Sequence, residues 1–261
     1  MQNSKLIVCA LMAMSAITSI GPASAADMAV KSPYAAAPPL FSWSGFYVGL
    51  HAGYGWGENN WNFGGVFEDP SISRSRQRPK TDGVLGGVQA GANYQFASWV
   101  VGMEWDLAFL SRKGSFDDPL LRSGVPIPGF NITATSKFDW LTQFTGRAGY
   151  ALDRTLFYVK GGIAAGETKD NLSLAAATAP PQFIDFGTKT NLLVGWTVGA
   201  GIEHFFTPNW SAKIEYNYVD LGSSAEKFNF TNGNASLTFL ENIQHKLQIV
   251  KVGANYKFNS F

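Results

Sequence analysis

The chain has 261 residues, of which 46% are hydrophobic and 15% are charged, and its formal net charge is +1. Soluble domains carry about 25% charged residues, so this composition indicates a surface that faces something other than water. Nucleic-acid binding is not expected, because 20 basic residues are balanced by 19 acidic ones and no net positive field remains.

Residues 1–25 predict a cleavable signal peptide. Lys5 precedes an apolar run from Leu6 to Ile20, and Ala23-Ser24-Ala25 forms a small-x-small cleavage site. The run is shorter than the roughly 20 apolar residues of a spanning helix. Cleavage would also remove Cys9, the only cysteine, so we expect neither a disulfide nor a thiolate metal site in the mature chain.

Residues 26–45 form an Ala- and Pro-rich segment that lacks the period of a regular element. We interpret it as a flexible periplasmic lead-in. The barrel domain is predicted over residues 46–261.

Beyond the lead-in, bulky apolar residues alternate with Gly or polar residues. This period of two predicts strands with one face toward an apolar medium. The alternating segments span residues 46–57, 84–96, 99–109, 138–150, 157–165, 192–203, 210–218 and 250–258. Aromatic residues near the segment ends suit interfacial girdles: Trp56, Tyr94, Phe96, Trp99, Tyr150, Trp210, Tyr256 and Phe258.

The connections between these segments alternate in length. Three are a few residues long, and the others, roughly 58–81, 112–136, 169–188 and 222–243, are long and polar. Short periplasmic turns and long external loops are typical of outer-membrane barrels. Hydrocarbon offers the backbone no hydrogen-bond partner, so the sheet must close. The pattern predicts an all-β, eight-stranded antiparallel up-and-down transmembrane β-barrel in the outer membrane, with both termini periplasmic.

The charged residues of the predicted strands fall on the inward parity, whereas a soluble barrel buries apolar residues inward. An eight-stranded interior is just wide enough for side chains to fill it, so we expect these charges to pair into a plug. The alternative is a narrow pore. The predicted interior charges are Glu104, Asp106, Arg147, Lys160, Glu203, Lys213, Glu215, Lys251 and Lys257.

Catalysis is not expected, and neither is a metal or cofactor. The three histidines, His51, His204 and His245, lack a Ser or carboxylate partner at a known motif spacing.

A basic run in the first long loop is a candidate contact for lipopolysaccharide phosphates, with a solvated loop as the alternative. It consists of Arg74, Arg76, Arg78 and Lys80.

Three stretches carry a family resemblance: Trp43–Gly49 (WSGFYVG), Trp196–Glu203 (WTVGAGIE) and Val252–Phe258 (VGANYKF). They resemble the small outer-membrane β-barrel family of alpha-proteobacteria, whose members are called outer-membrane immunogenic, haemin-binding or porin-like proteins. The resemblance implies a barrel similar to the OmpA transmembrane domain. We predict a non-enzymatic protein that anchors in the outer membrane and displays surface loops. The alternatives are a narrow porin-like channel for small solutes and a haemin-binding surface protein.

The predicted outer-membrane barrel also has expected partners, namely outer-membrane lipid, lipopolysaccharide and, during biogenesis, the barrel-assembly machinery. Relatives usually end on an aromatic residue, so Phe258 or Phe261 is the expected assembly signal, while the ligand of the surface loops is unknown. Haemin binding by some relatives makes His245, near Phe228 and Phe230, a candidate for an exposed haem contact. An ordinary loop mouth is the alternative.

Overall fold

The computed structural model describes residues 42–66, 72–73, 80–176, 182–232 and 235–258. The predicted signal peptide and most of the lead-in lie outside these residues. In the described part, no helix is long and apolar enough to cross a membrane. The described strands are β1 (Gly45–Val66), β2 (Ile72–Ser73), β3 (Lys80–Phe96), β4 (Trp99–Arg122), β5 (Val125–Leu152), β6 (Thr155–Ala176), β7 (Gln182–Phe205), β8 (Trp210–Asn232) and β9 (Ala235–Lys257).

Eight of these strands form a closed antiparallel ring, and the two-residue β2 pairs with the outer part of β4. Each long strand pairs with its neighbours along the chain. The ring closes between the first and last strands, where Leu50 is the register partner of Val88 on one side and of Ala254 on the other. The predicted eight-stranded up-and-down barrel is confirmed.

The two faces of each strand differ in exposure as the alternation predicts. Phe46 and Leu50 on the outer face are 55% and 68% exposed, whereas Tyr47 on the inner face is 3% exposed. The ten-residue step from Phe46 to Trp56 covers about 33 Å along the strand at about 3.3 Å per residue. A tilt of about 40° reduces this to a height of about 25 Å, which matches the apolar band of a membrane barrel.

Aromatic pairs border the apolar band at both ends. Near the short turns, the rings of Trp99 and Tyr150 lie 5.4 Å apart. At the opposite border the Trp196 and Tyr218 rings lie 5.5 Å apart. Amphipathic rings favour the boundary between hydrocarbon and water, so the two sets mark the limits of the membrane-spanning wall.

The predicted short turns are confirmed. Ala97 and Asp153 each begin a two-residue turn with a φ of 52°. Residues 206–209 connect β7 to β8. Left-handed backbone in tight hairpins matches the twist of the flanking strands.

The long polar connections were predicted as loops, and this is wrong for most of their length. The segment 112–136 is a hairpin of β4 and β5 with a two-residue tip, at which Ser123 and Gly124 have φ values of 51° and 81°. Strands likewise continue into the other three segments. Ladder hydrogen bonds satisfy the backbone in water as well as in lipid, so polar strands extend beyond the apolar band.

The barrel lumen is filled in layers. Near the short turns lies an apolar floor of Trp43, Val100, Ala151, Leu156, Tyr158 and Phe205. A second apolar layer lies toward the long hairpins and consists of Leu85, Ala108, Leu110, Phe138, Leu141, Ala164, Leu193, Val219, Leu221, Leu247 and Ile249. Buried charged residues occupy the lumen between the two apolar layers.

Candidate functional site

Four acidic and four basic side chains meet in the lumen, and we call this set the ionic layer. Each residue is at most 4% exposed, and four negative and four positive charges give a net charge of zero. Its members are Glu104, Asp106, Glu203, Glu215, Arg147, Lys160, Lys213 and Lys251. The structure therefore brings together eight of the nine predicted interior charges.

Glu104 on β4 is one centre of the ionic layer. Its carboxylate accepts hydrogen bonds from Lys160 Nζ at 2.8 Å and from Lys213 Nζ at 2.9 Å. The hydroxyl of Tyr47 donates a third bond at 2.8 Å. Strands β4 and β8 are four places apart in a ring of eight, so the contact between Glu104 and Lys213 spans the lumen from wall to wall.

Glu215 on β8 is the second centre. Its oxygens lie 2.8 Å from Lys160 Nζ and 3.1 Å from Lys251 Nζ. Tyr158 donates a hydrogen bond at 2.7 Å, and so does Asn217 through Nδ2. Lys160 contacts both Glu104 and Glu215, so the two centres form one network.

Arg147 connects this network to Glu203. Its guanidinium lies between the rings of Tyr47 and Tyr158, at 4.8 Å and 5.2 Å from their centroids. One edge donates to Glu203 Oε2 at 3.1 Å, and Nε donates to Asn93 at 2.7 Å. Stacking between two rings while bonding a carboxylate suits the planar guanidinium and would not suit lysine.

Asp106 completes the layer on the β9 side. Lys251 donates a hydrogen bond to its Oδ2 at 2.5 Å. His51 Nδ1 lies 3.4 Å from the same oxygen, inside the closed lumen. The histidine thus faces a carboxylate, but neither group opens to bulk water.

The ionic layer follows from period-two alternation. Glu104 and Asp106 are two residues apart on β4, Lys213 and Glu215 are two apart on β8, and each pair therefore points inward. Burial of charges costs several kcal/mol per ion unless each has close partners. Here every charged group has an oppositely charged neighbour.

Lys257, the ninth predicted interior charge, lies apart at the mouth near the short turns. Its Nζ donates to the carbonyl of Ser42 and lies 5.3 Å from the centroid of the Phe205 ring. Lys257 therefore contacts the backbone just before β1 and does not belong to the ionic layer.

The end of the predicted flexible lead-in is ordered, which corrects the interpretation of residues 42–45. Trp43 is 1% exposed and its ring lies 4.4 Å from that of Phe205. Its backbone N–H donates to Gln95 Oε1 at 2.8 Å, and Ser44 Oγ accepts from the Gln95 N–H at 2.9 Å. The Ala- and Pro-rich composition of the preceding segment gave no sign of this anchor, although Trp43 begins the WSGFYVG stretch that leads into β1.

His245 is buried, so the exposed haem contact considered for it is wrong. Its side chain is 0% exposed and Nε2 lies 3.3 Å from Ser224 Oγ. His245 precedes Lys251 on β9 by six residues, an even number, so both side chains have the inward parity. The alternation alone could therefore have predicted that His245 is buried. Phe228 and Phe230 belong to β8.

Other predicted candidates fall at the edge of the described residues or outside them. Arg74, Arg76 and Arg78 lie outside, and Lys80 is the first residue of β3. Phe261 also lies outside, whereas the Phe258 N–H donates to the Phe46 carbonyl at 2.9 Å.

His204, unlike the other two histidines, is exposed. His204 Nδ1 lies 2.9 Å from Thr155 Oγ1 at an exposed turn. Within the described ranges, no group of three or more His, Cys, Asp or Glu side chains is arranged to hold a metal ion.

Comparisons with known proteins agree with this geometry. The profile of the family described as "Outer membrane protein beta-barrel domain" matches residues 15–258. A 31 kDa outer-membrane immunogenic protein of Brucella melitensis is 36% identical over 242 residues, covering 90% of this chain and 93% of its own. A 22 kDa outer membrane protein of Rhizobium leguminosarum is 30% identical over 220 residues, covering 84% and 80%.

Among solved structures, the outer membrane protein OprG of Pseudomonas aeruginosa is 10% identical, with a TM-score of 0.48 over 84% of this chain and 99% of its own. Neisserial surface protein A is 15% identical, with a TM-score of 0.35 over 82% and 98%.

Proposed function

We propose, from the premise that this chain belongs to the outer membrane protein β-barrel family, that it is a closed barrel that anchors in the outer membrane and displays its long hairpins outside the cell. The ionic layer is the observation that carries the proposal. Its side chains meet across the lumen, with a Glu104 to Lys213 distance of 2.9 Å, and apolar layers lie on both sides. A solute would have to separate buried ion pairs in order to pass.

The runner-up function is a narrow porin-like channel, and conductance separates the two. The protein is reconstituted in planar bilayers, and a heat-modifiability gel on the same preparation verifies that the barrel is folded. Protein boiled before reconstitution is the matched control. We expect folded barrels to leave the bilayer resistance at the control value. A steady current that scales with the amount of folded protein would favour the channel.

We also propose that the protein is not an enzyme and does not bind haem through His245. His51 and His245 are both buried in the barrel interior, at 5% and 0% exposure, which keeps substrates from them.

The partners that we propose are outer-membrane lipid, lipopolysaccharide and, during biogenesis, the barrel-assembly machinery. The run from Arg74 to Lys80 stays a proposed contact for lipopolysaccharide phosphates.

The proposed orientation places both termini in the periplasm and the long hairpins outside. Cys9 is the only native cysteine and lies in the predicted signal peptide, so introduced cysteines would report cleanly. Ser123→Cys marks a hairpin tip and Asp153→Cys marks a short turn. In intact cells, a membrane-impermeant maleimide should label the first variant only, and both after permeabilisation. The reverse pattern would invert the topology.

A further inference from the structure

The outer parts of β7 and β8 are not paired with each other. The register between the two strands stops at Trp196 and Asp220, next to the aromatic border of the apolar band. Beyond this level, among the described strands, β7 pairs only with β6, and β8 pairs only with β9. Residues 182–192 of β7 therefore have no described strand on the side away from β6, and we call them the open edge.

A bulge in β8 lies where the two strands separate. The register of β8 with β9 shifts between Asp220 and Ser223. Within the shift, Gly222 has a φ of 76° and its N–H donates to Asp220 Oδ1 at 2.9 Å. A bulge bends its strand and increases the local twist. The backbone of β8 at this point therefore accounts for the separation.

Alternate residues of β7 direct their backbone hydrogen-bonding groups away from β6. The N–H of Phe205 donates to Arg154 on the β6 side, whereas the N–H of the next residue, Phe206, donates to Trp210 on the β8 side. Successive residues of a strand alternate in this way. The register of β7 with β6 is unbroken from residue 204 to residue 188, so the even-numbered residues direct N–H and C=O toward the open side. In the open edge these residues are Thr188, Thr190 and Leu192.

The open edge lacks the prolines that often protect the edge of a sheet. Residues of β5 before Phe130 likewise have no described partner on β6, and Pro126 and Pro128 lie there. Strand β7 contains no proline, and Thr188 and Thr190 are exposed. The backbone of β7 is therefore able to pair with an added strand, whereas the tip of β5 is not.

We infer that the open edge binds an extended, acidic segment of a partner polypeptide, which adds to the sheet as a further strand. The inference rests on the proposed display of the hairpins outside the cell and specifies the kind of partner they take. Another extended backbone offers donors and acceptors at the spacing of a strand, and such pairing is a recurring mode of peptide recognition.

The charge of the open edge favours an acidic partner over a second copy of this chain. Lys189 is exposed and is the single charged residue of residues 188–192. Opposite charges on neighbouring strands stabilise a pairing, and like charges destabilise it. Two copies joined through residues 188–192 would bring their Lys189 side chains close together, which opposes that pairing.

The test measures binding of a fluorescein-labelled peptide, Thr-Val-Thr-Glu-Thr-Val-Thr, to folded barrels in phosphatidylcholine nanodiscs by fluorescence anisotropy. A heat-modifiability gel on the same preparation verifies folding. The matched control peptide has the same sequence but is N-methylated on the glutamate and on the threonine at each side of it, so neither of its edges can pair at the centre. We expect the control peptide to bind at least about tenfold more weakly, the equivalent of one hydrogen bond.

Thr190→Pro removes one N–H of the open edge and leaves the ladder with β6 intact. This variant should fold and bind the parent peptide at least about tenfold more weakly. Thr190→Val keeps the N–H and should bind like the wild type. Amide hydrogen exchange of the wild type is a second measurement. The N–H groups of Thr188 and Thr190 should exchange fast in the free barrel and slowly with the peptide, whereas those of Lys189 and Asn191 should exchange slowly in both.

Three results would overturn the inference. They are equal binding of the parent peptide to Thr190→Pro and to the wild type, slow exchange at Thr190 in the free barrel, and a dimer of barrels that Thr190→Pro abolishes. Absence of any peptide binding to folded wild-type barrels would also overturn it. Absence of a heat-modifiable band would instead contradict the proposed membrane barrel, and the maleimide experiment tests the orientation separately.

Discussion

Replacing Glu104 by glutamine removes one negative charge from the ionic layer and keeps the shape of the side chain. The layer then holds four basic and three acidic groups, with a net charge of +1. Lys160 and Lys213 would retain Glu215, at 2.8 Å and 3.3 Å, as their remaining carboxylate. Tyr47 would retain an amide oxygen as acceptor.

The expected cost follows from burial. Breaking a buried ion pair by removing one partner costs about 3–5 kcal/mol, because the other charge stays buried. Glu104→Gln should fall at the lower end, at about 3 kcal/mol, because both lysines keep Glu215. Asp220→Asn removes a partly exposed partner of Lys246 at 3.8 Å and should cost less than about 1 kcal/mol.

Urea unfolding of the barrel in vesicles, followed by gel mobility, measures these free energies of unfolding. Adding Lys213→Met to Glu104→Gln restores three charges of each sign, so the double variant should recover part of the loss, with a coupling energy of up to about 3 kcal/mol. If Glu104→Gln cost no more than Asp220→Asn, the reasoning that the buried layer holds the barrel together would be refuted.

Two further predictions concern the floor and the wall of the barrel. Trp43→Ala should lower the free energy of unfolding by about 3 kcal/mol, since a large buried side chain is lost. The same substitution should expose the apolar floor, so that a cysteine introduced by Val100→Cys reacts with a small thiol reagent. An unreactive thiol would contradict the expectation that Trp43 shields the floor from water. Gly162→Ala should abolish the heat-modifiable form, because an added Cβ would lie 2.0 Å from the Phe144 carbonyl oxygen, whereas Gly146→Ala meets no atom within 4 Å and should fold normally.

The sequence alone predicted the faces of the membrane-spanning strands. Lipid contacts one face and a packed lumen the other, so the two parities carry different residues, as with Phe46 and Tyr47. Alternation also placed Glu104 and Lys213 on the inward parity. Their partnership was beyond the sequence, because it depends on which strands stand opposite each other in the closed ring.

The extent of the hairpins was harder to predict. Outside the apolar band both faces of a strand are polar, so the alternation that marks a strand fades although the backbone ladder continues. Ser123-Gly124 was the available signal for the tip of the β4 and β5 hairpin, since a Ser-Gly pair favours a tight turn. Trp43 was missed because the Ala- and Pro-rich residues before it suggested an irregular segment.

The ionic layer also bears on how the barrel assembles. Its groups and their direct polar partners come from all eight long strands, from Tyr47 on β1 to Lys251 on β9. In a partly zipped sheet these charges would remain hydrated and would gain little from one another. Most of their attraction therefore arises when the first and last strands meet, so closure should be a single cooperative step with few stable half-formed barrels. The outer parts of β1 and β9 also pair with each other, as far as Val66 and Phe239, so the same step joins the first and the last external hairpins.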